Sequence, residues 1–366
     1  MIQRKILILL AVFVVAFMFA GAASAASVQS NQITTAKNPV GINTGQNVQQ
    51  KSKINDPVNL RTLKSYGTIQ AAINDPKTLN GDTIVVLGGV YTENVLVNKA
   101  LILLGKGTVM VQAADPTLPI FSITSNKVTI QNFNINGATE SDGILVQSNG
   151  NTIRDNTITN NYNGILVQNA RSNNIKNNQI NNNANNGIEL DNSNSNFMTS
   201  NTVSNNGGAG ISLINSNFNT IANNYASNDP NAGIVLNTSN FNTINGNTVP
   251  LSGGLLLWLS NNNALTNNIV TDTQTWPGIE LYTSNNNALI GNTVTGSADD
   301  GLLLGSSSNN YIQGNNITDN IGYGLHFISS SSNTVTNNDL TSNTAGDRNI
   351  DGTSLNNIFS GNNPAP

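Results

Sequence analysis

The chain has 366 residues, only 9% of them charged, with a formal net charge of −4 and a pI near 4.9. A surface this poor in cations cannot gather phosphates, which excludes nucleic acid as an expected partner. There is no cysteine, so disulfides do not stabilise the fold. Hydrophobic residues make up 37%, which is little for a globular domain of this length but enough for a core shaped as a narrow column.

The first 25 residues have the pattern of a secretory signal peptide. Arg4 and Lys5 precede an apolar run over residues 6–20, and Ala23-Ser24-Ala25 forms an A-x-A cleavage site. A retained membrane anchor is the alternative, although the run is shorter than the ~20 residues of a spanning helix. No second apolar run follows near the C terminus. We therefore expect an exported protein without a membrane span in the mature chain.

A polar segment without a hydrophobic period follows, and we expect it to be a flexible lead-in. Ordered structure is predicted to begin near Tyr66, where Ile69, Ala72 and Ile73 form an i, i+3, i+4 stripe. This stripe predicts a short helix that covers the open end of the following fold. The predicted boundaries are signal peptide 1–25, lead-in 26–65, repeat domain 66–361 and polar tail 362–366.

A glycine phrase recurs through the rest of the chain. A glycine, an aliphatic residue, any residue and another apolar residue repeat at spacings of 21 to 24. Alternating apolar positions predict short strands. The glycines of this phrase are Gly143, Gly164, Gly187, Gly210, Gly233, Gly254, Gly278, Gly301 and Gly324.

An asparagine phrase, N-x-(aliphatic)-x-x-N, repeats in register with it. Asparagine tolerates the left-handed turn conformation, and stacked amides can hydrogen-bond to one another. We predict that its first asparagines form a structural ladder. These are Asn151, Asn173, Asn196, Asn219, Asn242, Asn263, Asn287, Asn310 and Asn333.

The two motifs recur with the same spacing of about 23 residues and keep an almost constant offset from each other. This indicates one repeated supersecondary unit. Such a unit cannot bury its apolar face alone and must stack on its neighbours. Stacking at roughly 4.8 Å would place Ile165 over Ile144 and Ile188 over Ile165. The pattern therefore predicts an all-β parallel β-helix.

The opening of the repeat region carries a more specific resemblance. The runs Tyr66–Ile73, Asn80–Val86, Gly89–Val95 and Lys99–Gly105 resemble the start of right-handed parallel β-helix proteins of the pectin-lyase-like class. With the repeats, the resemblance covers about residues 66–360. It implies a right-handed single-stranded β-helix with an N-terminal capping helix. The class includes polysaccharide lyases, hydrolases, methylesterases and epimerases, carbohydrate-binding surface proteins and copper-associated NosD-type proteins, so the fold does not set the activity.

Metal ligands are sparse. Copper sites need clustered His, Met or Cys, whereas His326, Met110 and Met198 lie in widely separated repeats. Calcium is possible but needs six to eight oxygens, and the adjacent pair Asp299-Asp300 is expected to be a solvated corner. We therefore expect no cofactor.

Outward-facing carboxylates supply no evident catalytic constellation. Glu189 and Glu280 are four coils apart, roughly 19 Å, which is too far for a glycosidase pair. Glu189 and Asp191 lie about 7 Å apart on one strand, a permissible distance, but nothing in the sequence indicates a raised pKa there.

A binding surface is better supported. Trp258 and Tyr282 are expected to lie on consecutive coils and to face outward, with Glu280 nearby. Exposed aromatic rings beside polar groups suit a sugar's apolar face and its hydroxyls. The alternative is that this stripe, with Leu256 and Leu303, packs against a loop or a partner.

The sequence thus favours an exported or cell-surface β-helix protein that binds polysaccharide or cell-wall glycan. A polysaccharide-modifying lyase, hydrolase or epimerase is the alternative, and a structural spacer or protein-binding adhesin is the third interpretation. No pattern sets the oligomeric state.

Overall fold

The computed structural model describes residues 55–364. The predicted signal peptide and most of the predicted lead-in lie outside these residues. No helix of the described part has the length and apolar character needed to cross a membrane.

The described residues form a right-handed parallel β-solenoid of about 12 turns with about 23 residues per coil, which confirms the predicted fold class. One helix is described, α1 (Ile69–Asn74). The irregular first coils contain β1 (Val58–Asn59), β2 (Lys64–Ser65), β3 (Thr83–Thr92), β4 (Val95–Val97), β5 (Ile102–Gln112) and β6 (Phe121–Ile123).

Regular coils of three strands follow. Their strands are β7 (Thr129–Gln131), β8 (Asn134–Asn136), β9 (Ile144–Val146), β10 (Thr152–Arg154), β11 (Thr157–Thr159), β12 (Ile165–Gln168), β13 (Asn174–Lys176), β14 (Gln179–Asn181), β15 (Ile188–Asp191), β16 (Phe197–Thr199), β17 (Thr202–Ser204), β18 (Ala209–Ile214), β19 (Thr220–Ala222), β20 (Tyr225–Ser227), β21 (Ala232–Asn237), β22 (Thr243–Asn245), β23 (Thr248–Pro250), β24 (Leu255–Trp258), β25 (Ala264–Thr266), β26 (Ile269–Thr271), β27 (Ile279–Tyr282), β28 (Ala288–Ile290), β29 (Thr293–Thr295), β30 (Leu302–Gly305), β31 (Tyr311–Gln313), β32 (Asn316–Thr318) and β33 (Tyr323–Ile328). The last strands are β34 (Thr334–Thr336), β35 (Gly346–Ile350) and β36 (Ile358–Ser360).

Each regular coil contributes one strand to each of three walls. The first wall contains β7, β10 and their equivalents, and the second contains β8, β11 and theirs; both belong to a 24-stranded sheet. The third wall is a 12-stranded sheet that runs from β4 through β9, β12 and their equivalents to β35. Corner one joins the third wall to the first, corner two the first to the second, and corner three the second to the third.

The predicted stacking is confirmed in the third wall. Ile165 pairs in register with Ile144 on one side and Ile188 on the other, and Ile188 pairs with Ile211. Parallel pairing satisfies the backbone groups between coils, and alternation sends every second side chain inward. The inward aliphatic residues of all three walls form one continuous buried column.

Helix α1 covers the N-terminal end of this column, as predicted. Ile69, Ala72 and Ile73 are fully buried. The Thr68 side chain accepts a hydrogen bond from the backbone N–H of Ala71, and the Glu93 carboxylate accepts from those of Ile69 and Gln70. These acceptors satisfy the free N–H groups of the first turn.

Two short strands precede α1. β1 pairs antiparallel with β2 and with β3, and the Asn59 side chain donates to Asp82 Oδ2. The Arg61 guanidinium also binds Asp82 and holds the pKa of that carboxyl well below its usual range. Both strands lie within residues 26–65, where no hydrophobic period predicts a strand.

Asparagine ladders occupy the corners. At corner one, the backbone N–H and the side-chain NH2 of Asn151 both donate to Asn173 Oδ1, each at 2.9 Å. This pattern recurs along the predicted ladder to Asn333, whose N–H and NH2 donate to Asn357 Oδ1. The exception is Asn219, whose N–H donates to Asn242 Oδ1 but whose NH2 donates to Ser193 O. Because these side chains are almost completely buried, the ladder satisfies amides that would otherwise be costly to desolvate.

Corner two carries a second asparagine ladder of the same kind, and corner three carries a mixed column. The corner-two residues are Asn156, Asn178, Asn201, Asn224, Asn247, Asn268, Asn292, Asn315, Asn338 and Asn362. The corner-three residues are Asn161, Asn183, Asn206, Asp229, Ser252, Thr273, Ser297, Asn320 and Asn343.

Candidate functional site

The outer face of the third wall displays two columns of side chains. The register of its strands places each outward residue beside its equivalents on the neighbouring coils, as the sequence predicts. The first column reads Leu145, Leu166, Glu189, Ser212, Val235, Leu256, Glu280, Leu303 and His326. The second column includes Gln168, Asp191, Ile214, Asn237, Trp258, Tyr282, Gly305 and Ile328.

Trp258 and Tyr282 form an aromatic pair at the C-terminal ends of their strands in this wall. They are register partners on β24 and β27, and their ring centroids lie 5.4 Å apart at an interplanar angle of 67°. The next coil has Gly305 at this position, and a Cβ there would lie 3.0 Å from Tyr282 Cδ2. The glycine therefore leaves room for the tyrosine ring against the next coil.

Glu280 lies two residues before Tyr282 on β27 and faces the same side of the wall. Its register partners are Leu256 on one side and Leu303 on the other, and all three side chains are half-buried. The structure thus brings Trp258, Tyr282 and Glu280 onto one face. The arrangement offers apolar ring surface beside a carboxylate.

The coils around this aromatic pair lack basic side chains. The sequence contains no lysine or arginine between Lys176 and Arg348, which spans the coils from β14 to β33. An anionic sugar bound to this part of the third wall would meet no permanent cation, whereas a neutral sugar needs none.

A polar cluster lies nearer the start of the third wall. Asn163 donates to Asp142 Oδ1 at 3.0 Å, its own Oδ1 accepts from the backbone N–H of Asn186, and Asn186 donates to Glu189 Oε2 at 2.7 Å. Burial raises the pKa of Asp142 to about 6 and also raises the pKa of Glu189. The sequence did not indicate this, because Asp142 and Asn163 lie on a corner outside the strand alternation.

A second polar group lies near the C-terminal end of the wall. His326 Nδ1 lies 2.7 Å from Asp300 Oδ2, and His326 Nε2 lies 3.2 Å from Asn349 Nδ2. Asp300 also accepts from the backbone N–H of Tyr323. The expectation that Asp299-Asp300 forms a solvated corner is therefore wrong for Asp300, which is buried because the corner turns it toward His326.

Other predicted combinations stay apart. The register confirms that Glu189 and Glu280 are separated by four coils, and that Leu303 lies between Glu280 and His326. A shallow depression at corner three, lined by Asn228, Pro230, Leu251 and Gln274 among others, lies at the opposite end of β24 from Trp258. It belongs to a different part of the surface.

Two family models match parts of the chain. Residues 120–270 match the model of a right-handed beta helix region, and residues 226–365 match that of the periplasmic copper-binding protein NosD. A stretch of 103 residues is 42% identical to a cell surface glycoprotein of Methanothermus fervidus. That match spans 28% of this chain and 17% of the glycoprotein.

Solved structures share the fold. The A-module of a mannuronan C-5 epimerase from Azotobacter vinelandii superposes with a TM-score of 0.72 at 16% identity, over 80% of this chain and 93% of that one. The catalytic unit of an α-1,3-glucanase from Streptomyces thermodiastaticus superposes with a TM-score of 0.61 at 15% identity, over 87% of this chain and 69% of that one. At these identities the likeness concerns the fold alone.

The residues present do not fit a copper site. Both ring nitrogens of His326 already have partners, and Met198 is buried in the core column. Within residues 55–364 no group of three or more His, Cys, Asp or Glu side chains could hold a metal.

Proposed function

We propose that this right-handed parallel β-helix protein is an exported cell-surface protein that binds a neutral polysaccharide through Trp258, Tyr282 and Glu280. The match to a cell surface glycoprotein supports the location. Structurally similar proteins include a mannuronan epimerase and an α-1,3-glucanase, and these activities support a polysaccharide as ligand.

The Trp258–Tyr282 pair carries this proposal. Two half-buried rings on adjacent coils present an apolar surface of sugar-ring size, and Glu280 can accept hydrogen bonds from sugar hydroxyls. The absence of lysine and arginine from residues 177–347 favours a neutral chain over a uronate polymer.

The test is the double variant Trp258→Ala, Tyr282→Ala on a glycan array and by calorimetry, with α-1,3-linked glucose oligosaccharides, cello-oligosaccharides and mannuronate oligosaccharides as probes. We expect the wild type to bind at least one neutral series and the variant to lose at least tenfold in affinity, since each stacked ring contributes about 1 kcal/mol.

Tyr311→Ala is the matched control, because Tyr311 is exposed on the first wall and its register partner Ala288 shows that alanine fits there. Its binding should equal that of the wild type. Binding that survives the double variant, or that is stronger for mannuronate than for every neutral series, contradicts the proposal.

One observation favours a polysaccharide-modifying enzyme as the second candidate. Glu189 has a pKa raised by burial, and Asp191 faces the same side two residues further on, about 7 Å away. A raised acid beside a second carboxylate is what a glycoside hydrolase uses. New reducing ends from a neutral polysaccharide, abolished in Glu189→Gln and Asp191→Asn, would establish it.

A further inference from the structure

Two phenylalanines at corner one stack on each other and are largely exposed. Phe218 and Phe241 lie on consecutive coils with ring centroids 5.2 Å apart and an interplanar angle of 6°. They are 60% and 51% exposed. The stacked rings therefore present a flat apolar ledge to solvent.

The backbone at these positions is costly for phenylalanine. Both residues have φ of 58°, in the left-handed region that bulky side chains rarely occupy. The equivalent residues of other coils are small or polar, namely Ser172, Ser195, Asn262, Asn286, Asn309 and Ser332, all with φ between 57° and 59°. Strain held at an exposed position without burial in return is characteristic of functional sites.

The ledge lies on the two coils that precede those of the proposed sugar-binding pair. Trp258 pairs in register with Asn237, which precedes Phe241 by four residues on the same coil. The backbone N–H of Phe241 donates to Asn261 O, three residues after Trp258. Four consecutive coils thus carry one aromatic residue each at or beside corner one. Phe218 and Phe241 lie within the corner, two residues before the first wall, and Trp258 and Tyr282 are the last residues of their third-wall strands. Three steps of the solenoid correspond to about 14 Å.

Amide donors accompany the ledge. Asn217 Oδ1 accepts from the backbone N–H of Asn240, and Asn240 Oδ1 accepts from that of Asn261, each at 2.7 Å. The NH2 groups of Asn217 and Asn240 make no hydrogen bond to other described residues. They remain as donors beside the rings, and sugar hydroxyls can accept from them.

The exposed area of the two rings and the charge around them indicate which kind of ligand the ledge could bind. The exposed parts of the two rings total about 200 Å², far below the roughly 800 Å² per partner of a stable protein interface. Residues 192–271 contain no lysine, arginine, histidine or glutamate, and their one aspartate, Asp229, is fully buried. A small neutral ring surface fits this ledge better than a second protein or an anion.

We propose that the Phe218–Phe241 ledge extends the Trp258–Tyr282 site, so that one neutral glycan of at least four sugars lies along the solenoid axis over four coils. This inference rests on the proposed function and adds the length and direction of the ligand.

The test is the double variant Phe218→Asn, Phe241→Asn, because asparagine occupies this left-handed corner naturally at Asn262 and Asn286. Affinity is measured by calorimetry for the neutral series that the wild type binds, from disaccharide to octasaccharide. We expect about tenfold weaker binding of the hexasaccharide, unchanged binding of the disaccharide, and a Tm equal to or above that of the wild type.

Phe197→Thr is the control, since Phe197 is an exposed phenylalanine of the first wall whose register partner is Thr220. Its hexasaccharide affinity should not change. Unchanged hexasaccharide binding in the asparagine variant, while Trp258→Ala with Tyr282→Ala still abolishes binding, overturns the ledge and leaves the proposed function standing. A clear fall in Tm would show that the rings serve the fold and would also overturn it. Full binding by both double variants would reject the two proposals together.

Discussion

Corners two and three both connect strands and satisfy buried polar groups between coils, but they differ in connection length and in residue type. At corner two, two residues separate each first-wall strand from the following second-wall strand in every regular coil from β10 to β32, and the buried one is always asparagine. At corner three the connections differ in length from coil to coil, and the buried column changes from Asn to Asp, Ser and Thr and back to Asn.

The difference shows where the fold depends on residue identity. A two-residue connection leaves one side chain to satisfy the backbone of two coils, and asparagine has both the donor and the acceptor for it. A longer connection can use other groups, as Thr273 does by donating to Trp276 O within its own turn. The unusual polar residues of the molecule, Asp142, Asp229 and Asp300, accordingly lie at corner three.

The largest effect should come from breaking corner two. Asn315 donates its N–H and NH2 to Asn338 Oδ1 and its NH2 to Leu289 O, and it accepts two hydrogen bonds from Asn292. Asn315→Ala removes the acceptor of the Asn292 N–H and NH2 and the side-chain donor to Leu289 O and Asn338 Oδ1, all buried, and we expect a loss of about 4 kcal/mol in the free energy of unfolding by urea denaturation.

Asn316→Ala is the neighbouring control. The Asn316 side chain is exposed on the second wall, so the substitution should change stability by no more than about 0.5 kcal/mol. Equal losses for the two variants would contradict a ladder that is specific to the buried column.

A smaller effect is expected at the glycine that ends corner three. A Cβ on Gly187 would lie 2.3 Å from Val203 Cγ1 and 2.7 Å from Gly210 O. Gly187→Ala should therefore cost about 3 kcal/mol in thermal or urea unfolding. Gly352→Ala, where no atom lies within 4 Å of the added Cβ, should be neutral. Corner three would then tolerate varied residues in its ladder but no side chain at its glycine.

The same contrast explains what the sequence could predict. The ladders at corners one and two repeat a single residue type, asparagine, and the third-wall columns repeat a single apolar alternation. Their register therefore follows from the recurrence of positions such as Asn151, Asn156 and Ile165 along the sequence. The placement of Trp258 beside Tyr282 followed from that register.

Contacts made by corners could not be predicted this way. The bond from Asp300 to His326 and the chain from Asp142 to Glu189 depend on how loops of different length turn, and no periodic pattern encodes that. The sequence did not predict the corner-three ladder, because Asp229 and Ser252 interrupt its run of asparagines. Strands β1 and β2 are too short to show an alternation.

The smallest change in stability should come from replacing Asp229 in the corner-three column by asparagine. Asn206 donates its N–H and NH2 to Asp229 Oδ1, but Oδ2 is buried without a hydrogen bond in the described structure. One coil earlier in the same column, the NH2 of Asn206 also donates to Ile180 O, 26 residues before it. The equivalent carbonyl for Asp229 is Val203 O, which is an acceptor and cannot donate to the carboxylate. Burial accordingly raises the pKa of Asp229 to about 7.

The sign of the pH dependence follows from that shift. The folded state holds a proton on Asp229 that the unfolded chain, with an ordinary pKa near 3.9, releases earlier, so this stabilisation is present below about pH 4 and is lost as pH rises through about 7. Asp229→Asn supplies the missing donor at every pH. We expect it to raise the free energy of unfolding by about 2 kcal/mol at pH 8 and by little at pH 4, in urea titrations at both values. The remaining slope would come from groups such as Asp142, whose pKa is raised to about 6. A gain of equal size at both pH values would mean that Asp229 is not charged at pH 8 and that the two corners differ only in hydrogen-bond number.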